Sequence, residues 1–257
     1  MSKNNNLEIT QFSDGYAILG DCTSKVVTDF ISQFEIPLII ADPPYGNIVD
    51  EEWDKTTLSD TQFCKWMLDW TSKFQDLLVD RGAFYVWGGI GRKNFRPFMR
   101  YVADVESKTK LEIANYITWK KKRGIGTQYN YLFTREELLY MVKGKFNKPR
   151  MFNVPYLDEK RDYAGFNKKY PAKSMNYRRS NVWTDINEIF QGKKHPTQKT
   201  QKLHEVLIEV HTKKDEYVFD PFAGYGTTAH AARKLGRKFI VVEYDKSNYD
   251  ILIDNLK

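Results

Sequence analysis

Short apolar runs that read as buried strands alternate along this chain with segments of helical periodicity, and this alternation is its tightest constraint on fold. YAILGD at 16–21 leads to a helical pattern near 24–34, then to PLIIAD at 37–42. Ser59 and Gln62 form a capping box ahead of Phe63, Trp66, Met67, Trp70, Phe74, Leu77 and Leu78 at helical spacing, and Gly82 is expected to stop that helix. AFYVWGG, ANYITWKK and ELLYMVKG read as further strands, with GIGRKNFRPFMRYV between the first two as a loop and short helix. A helix from about Gln198 to Val210 precedes a final strand-turn-helix-strand unit, YVFDPFAGYGTTAHAARKLGRKFIVVEYD. Strands alternating with helices imply one α/β domain: a mostly parallel, twisted sheet with helices on both faces.

Two strand ends carry chemistry. IIADPPYGN at 39–47 passes from three apolar residues to an acid, two prolines and a tyrosine. Proline removes N–H donors and fixes φ, so the turn after Asp42 displays carbonyl acceptors in a rigid frame. A carboxylate and a carbonyl aimed together can accept both hydrogens of one NH₂ group, and Tyr45 offers a ring on which a flat base can stack. Taken alone, DPP is also an ordinary strand-ending turn with Asp as a cap. In FDPFAGYGTT at 219–228, a strand meets a turn containing Gly224 and Gly226, and a helix starts near Thr227. A helix N-terminus with free N–H groups suits a carboxylate or phosphate, and Glu243 ends the next strand, where an acid can accept from ribose hydroxyls. The GK[ST] ending of a P-loop is absent, so nothing supports ATP hydrolysis.

The 257-residue chain has a formal net charge of +7, and its placement is uneven. Between Lys143 and Arg179, eleven Lys and Arg face three acids, a local +8 that exceeds the excess of the whole chain. Phe146, Phe152, Tyr156, Tyr163, Phe166, Tyr170 and Tyr177 are interleaved with these charges, and Pro149, Pro155 and Pro171 argue against long regular elements. Cations neutralise phosphates while rings stack bases, so the segment reads as a nucleic-acid surface, with Lys145, Arg150, Lys168, Lys169, Lys173, Tyr177, Arg178 and Arg179 as its contacts. The loops 47–55 and 123–130 are expected to close over the target. Cys22 and Cys64 have no zinc spacing and are too few for a disulfide framework, and the four histidines form no HExxH or HxH pattern. No metal is expected. No apolar run is long enough to cross a bilayer and the N-terminal residues lack a signal-peptide core, so a cytoplasmic protein is expected.

DPPY and DPFAGYGTT together resemble the S-adenosylmethionine-dependent amino-methyltransferases, specifically the DNA adenine-N6 methyltransferases. LGDC at 19–22, GAFYVW at 82–87, ITWKK at 117–121, NVWTDI at 181–186 and HPTQK at 195–199 agree in the same order. With DPPY first, the basic segment second and the cofactor motif last, the order is similar to the β class, a circularly permuted Rossmann-like methyltransferase fold. The resemblance implies a catalytic part at 1–142, a target-recognition insertion at 143–180, and a cofactor-binding part at 181–257. The chain departs from the family at Thr200, where proline is usual, and at Tyr225, where a small residue is common.

Residue by residue, the resemblance implies that Asp42 and the Pro43 carbonyl hold the target amino group, that Pro44 fixes the turn, and that Tyr45 stacks on a flipped base. It implies a cofactor site of Asp21, Cys22, Asp42, Lys199, Asp220, Pro221, Phe222, Ala223, Gly224, Gly226, Thr227, Thr228 and Glu243. Within it, Lys199 and Thr227 approach the methionine carboxylate, Glu243 the ribose and Asp21 the adenine amino group. The implied function is methyl transfer from S-adenosylmethionine to adenine N6 in duplex DNA after base flipping. The resemblance implies duplex DNA as partner, is compatible with a homodimer, and leaves open either an orphan methylase or the modification half of a system with a separately encoded cognate restriction endonuclease. Two rivals stand beside this reading: a cytosine-N4 or RNA amino-methyltransferase, and an inactive DNA-binding subunit of the same fold.

Overall fold

The structure, a computed structural model, describes residues 7–46, 54, 56–126, 128–161, 174–187 and 199–257. In chain order, β1 (Glu8–Phe12) and β2 (Gly15–Leu19) form a hairpin, followed by α1 (Lys25–Ile31), β3 (Ile36–Ala41), α2 (Asp60–Leu77), β4 (Leu78–Gly88) and α3 (Gly91–Lys108). Next come β5 (Leu111–Ile125), β6 (Phe133–Lys143) and three short strands, β7 (Tyr156–Lys160), β8 (Asn176–Arg178) and β9 (Val182–Trp183). The chain closes with α4 (Gln201–His211), β10 (Tyr217–Asp220), α5 (Thr227–Lys234), β11 (Lys238–Glu243) and α6 (Lys246–Leu256).

One sheet runs in the order β1-β2-β11-β10-β3-β4-β6-β5-β9, while β7 and β8 pair antiparallel with each other. β2, β11, β10, β3 and β4 are parallel neighbours, and β1 and β6 run against them. All six residues of β3, IPLIIA, are buried, as a strand covered on both faces requires. Its Leu38 and Ile40 pack with Leu203, Leu207, Ala229 and Leu252 from α4, α5 and α6. Ile39 and Ala41, one residue out of phase, pack with Val27, Phe63, Trp70 and Phe98 from α1, α2 and α3. The mostly parallel α/β frame read from the sequence is therefore present.

The connections place a crevice. β3 passes through α2 to β4 on one side, whereas β10 passes through α5 to β11 on the other, and the two helices cover opposite faces. β3 and β10 are themselves paired, so the sheet's topological switch point lies between them, where ligands bind at the carboxyl ends of strands.

Several boundaries differ from the sequence reading. The Ser59–Gln62 capping box is made, but α2 ends at Leu77 rather than near Gly82. Leu78 pairs with Ile36, which draws 78–81 into the sheet, and Arg81 takes the turn at φ +60°. The expected loop and short helix over 89–102 is instead one 18-residue helix, α3, despite Pro97. Burial of Phe98, Tyr101 and Val105 along one face outweighs the local breaker. α1 is shorter than its 24–34 pattern and stops at Ile31. Among the described residues, no helix is long and apolar enough to cross a membrane.

Candidate active site

The acids singled out in the sequence meet at one edge of the sheet. Asp42 follows β3, Asp220 ends β10, Glu243 ends β11, and Asp21 lies two residues past β2, all at carboxyl ends of adjacent parallel strands. The sequence places each acid where an apolar run stops, and the parallel pairing turns four separate strand ends into one rim.

Asp42 lies in a buried ionic cluster. Lys199 Nζ donates to its two carboxylate oxygens at 2.9 and 2.8 Å, and also contacts Glu136 Oε2 at 3.0 Å. Lys199 and Glu136 are buried, and Glu136 in turn pairs with Lys121. Tyr45 donates its hydroxyl to Asp42 and accepts from Lys199. Burial raises the Asp42 carboxyl, opposed by Lys199 and Tyr45. Burial also pushes Glu136 up, but Lys199 and Lys121 outweigh it and hold that carboxyl below its ordinary range. Lys199, disfavoured as a cation by burial, is raised by its two acids. The cluster thus keeps charge where an apolar pocket would remove it.

The turn itself is anchored. Pro43 is buried and Pro44 partly so. Asp54 accepts from the Tyr45 and Gly46 amides at 2.7 and 2.8 Å, and the Asn94 side chain donates to the Tyr45 carbonyl at 2.9 Å. The Tyr45 ring, which the resemblance assigns to base stacking, is 3% exposed here and lies beneath the Lys199 ammonium. Lys199, assigned to the cofactor carboxylate, commits its charge to Asp42 and Glu136. Sequence reasoning missed Glu136, Lys121, Asn94 and Asp54. The adjacent acids of REELLYMV were a signal, since acids flush with an apolar strand are costly to bury unless paired.

Across the crevice, Asp220 accepts from the Phe222 amide at 2.9 Å and from the Thr228 hydroxyl, and burial pushes it up to about 7 against those donors. His204, from α4, contacts the same hydroxyl through Nδ1 at 2.8 Å. Because Thr228 gives its proton to Asp220, His204 Nδ1 must donate. Burial, helped by Lys199, holds this imidazole neutral with a pKa of about 3. Glu243 is also pushed up to about 7 by burial, while the Asp245 and Gly224 amides donate to it at 2.9 and 2.8 Å.

Gly224 (φ +51°) and Gly226 (φ +87°) carry the turn into α5, and a Cβ on Gly224 would meet nothing within 4 Å. No side chain caps α5 at Gly226, and Thr227 is its first residue. Pro221 and Ala223 are buried, and Phe222 packs against Trp66 and Trp70. Cys22 is buried, which raises its thiol, and Asp21 is exposed, accepting from the Thr23 amide at 2.8 Å. Two acids beside an open glycine turn and an uncapped helix start suit a nucleoside that carries a carboxylate.

The basic segment divides. Lys145, Tyr177 and Arg178 are exposed. Arg150 is ion-paired with Glu216, and Arg179 forms two hydrogen bonds of 2.7 Å with Asp185 while lying over the Trp183 ring. Those two guanidiniums are engaged within the fold. Lys168, Lys169 and Lys173 lie outside the described residues, as do most of loop 47–55 and the HPTQ of 195–198.

A doubly wound α/β frame with acids ranged along its switch-point edge defines the class. The DNA methylase family model, covering N6 and N4 methyltransferases, matches residues 36–254, and the chain belongs to this family. It is 30% identical over 260 residues to the type II methyltransferase M.BamHI of Bacillus amyloliquefaciens, a match covering 93% of this chain and 56% of that protein. The chain thus spans little more than half the length of that relative. In fold it is similar to M1.HpyAVI, solved as a SAM complex (TM-score 0.65, 24% identity, 94% of this chain and 98% of that one). It is also similar to the cytosine-N4-specific PvuII DNA methyltransferase (TM-score 0.68, 17% identity, 95% of this chain and 86% of that one).

Proposed function

We propose that this chain methylates the exocyclic N6 of adenine in duplex DNA, with S-adenosylmethionine as donor. The observation that carries the proposal is the Asp42 carboxylate, held at the end of β3 by Lys199 and Tyr45 and facing the β10 acid across the switch point. Asp220, Glu243, Gly224 and Thr227 would hold the donor, with Asp21 and Cys22 beyond them and Thr228 steadying Asp220. Bound there, S-adenosylmethionine supplies an electrophilic methyl group.

The chain's own part is orientation and charge. An adenine amino nitrogen is a poor nucleophile because its lone pair is delocalised into the ring. Asp42 and the Pro43 carbonyl accept its two hydrogens, draw the nitrogen toward tetrahedral geometry and free the lone pair, while Asp42 stabilises the positive charge that then develops. The methylated nitrogen is then strongly acidic and gives up one of its two hydrogens as a proton to solvent, so no strong base is needed. Tyr45 leaves Asp42 as the amino group takes its place, and its ring becomes the platform for the base. Aspartate at position 42 supports adenine, since the cytosine-N4 enzymes more often have serine there.

The order of the parts supports a β-class arrangement: catalytic residues 1–142, recognition at 143–180, and cofactor binding at 181–257. The target base leaves the stack to reach Asp42. Duplex DNA is the partner, and the type II names of the relatives support pairing with a separately encoded restriction endonuclease; a homodimer belongs to the same reading.

The test is to incubate the protein with labelled donor and separate pools of duplex DNA and RNA, then digest to nucleosides. Label in N6-methyl-2′-deoxyadenosine from the DNA pool is the expected result. Label in N4-methylcytosine, or in RNA alone, overturns it, and DNA binding without label identifies an inactive subunit.

A further inference from the structure

β5 runs parallel to β4, with β6 returning between them, so the β5–β6 hairpin leaves the sheet on the edge that carries Asp42. Pairing of β6 with β4 ends at Glu137 opposite Gly88, yet β6 begins four residues earlier, at Phe133, paired there with β5. At ~3.4 Å per residue the arm stands about 14 Å beyond the sheet before its turn begins. Glu136, which contacts Lys199, lies at its root.

The tip is apolar and open: Tyr129 and Tyr131 are 91% and 92% exposed, and Leu132 is 62% exposed. From Lys120 to Phe133 the arm carries Lys120, Lys121, Lys122 and Arg123 and no acid. Its two strands also approach each other closely. A Cβ on Gly124 would lie 2.9 Å from the Leu132 Cβ, and one on Gly126 would lie 2.2 Å from the Leu132 Cδ2. The chain closes on Leu132 because those positions lack side chains. An exposed aromatic tip alone suits several partners, but on an all-cationic stem beside an acid that holds an amino group, it suits a polyanion with flat bases.

We propose that the β5–β6 arm is the element that enters the duplex. Lys120, Lys122 and Arg123 on its stem neutralise backbone phosphates beside the target, while Lys121 stays paired with Glu136 at the root, and Tyr129 and Tyr131 fill the gap that the extruded base leaves. The proposal rests on the DNA-methylating function above and adds to it the residues that hold the duplex open.

The test compares wild type with Tyr129→Ala/Tyr131→Ala on two oligonucleotide duplexes of the target sequence defined by sequencing methylated DNA. In one the target base is correctly paired; in the other it is mispaired, which lowers the cost of flipping. The variant is expected to slow single-turnover transfer roughly 10-fold or more on the paired duplex and to regain most of that on the mispaired one, with donor affinity unchanged. Equal loss on both duplexes, or no loss on the paired one, overturns the proposal. Loss of a dimer in sedimentation, with transfer on paired DNA intact, also overturns it and assigns the tip to a second copy of the chain. A wild type inactive on both duplexes refutes the methylating function instead.

Discussion

Lys199 Nζ lies 2.9 and 2.8 Å from the two carboxylate oxygens of Asp42, joining a buried lysine to a partly exposed aspartate 157 positions away in an ion pair. Removing one partner of such a pair strands a charge, at a cost of about 3–5 kcal/mol. Lys199→Met should therefore lower stability by about that order and raise the Asp42 carboxyl further, since burial would act with less opposition. The acid limb of the single-turnover pH–rate profile should move to higher pH. A profile that keeps its acid limb would show that Lys199 does not set the charge of Asp42.

Asp42→Ala removes the acceptor itself. Loss of one orienting, charge-stabilising group costs on the order of 100- to 1,000-fold in rate. Donor affinity, measured by calorimetry, should stay nearly as in wild type. Lost donor binding with residual turnover at saturating donor would reverse the assignment of Asp42 and make it a cofactor residue.

His204, Thr228 and Asp220 form a donor chain beneath the proposed cofactor edge. Thr228→Val leaves a buried carboxylate short of a hydrogen-bond donor, worth about 1–3 kcal/mol, so affinity for S-adenosylmethionine should fall by up to roughly 5- to 150-fold. His204→Leu removes only the outer member and should weaken affinity less. The reverse ranking in calorimetry would mean that His204 acts elsewhere than through Thr228.

Glu243 and Asp220 are each pushed up to about 7 by burial. Both therefore bind more protons folded than unfolded between their ordinary carboxyl range and pH 7. Their contribution to stability is greatest below that range and declines as pH rises toward 7. Donor binding has the opposite sign, because ribose hydroxyls and amides are best accepted by carboxylates. Donor affinity should thus rise with pH through about 7, and Glu243→Gln should lose part of that rise as well as affinity. Affinity constant from pH 6 to 8 would place the donor away from both acids.

Substituting Lys145, Lys168, Lys169, Lys173 and Arg178 by Gln should flatten the dependence of DNA binding on salt, by ~0.9 in the log–log slope for each phosphate no longer neutralised. Arg150 and Arg179, paired with Glu216 and Asp185, should instead cost thermal stability when replaced. An unchanged slope in fluorescence anisotropy would move the recognition surface off this segment.

What was legible in the sequence was whatever a local run can encode. The β3, β10 and β11 strands end where an acid interrupts apolar residues, and the Ser59–Gln62 box marks the start of α2. The end of α2 was not legible, because pairing of Leu78 with Ile36 decides it and no nearby residue reports that pairing. α3 is not legible as one long helix because Gly91 and Pro97 weigh against it locally, while burial of Phe98 and Tyr101 is a tertiary effect. In the site, Asp42 stood out through its prolines. Glu136 did not, since its role depends on an antiparallel strand that brings it within 3.0 Å of Lys199. Likewise, charge counting treats Arg150 and Arg179 like any other cation of the segment, and only their pairing with Glu216 and Asp185 separates them.

Methylation-sensitive sequencing of DNA from cells expressing the protein tests the central claim most directly, because it reports the modified base and its surrounding sequence together. N6-methyladenine at one short recurring sequence, absent from cells carrying Asp42→Ala, is the predicted result. N4-methylcytosine at such a sequence, or the same N6-methyladenine in the Asp42→Ala cells, would contradict the account.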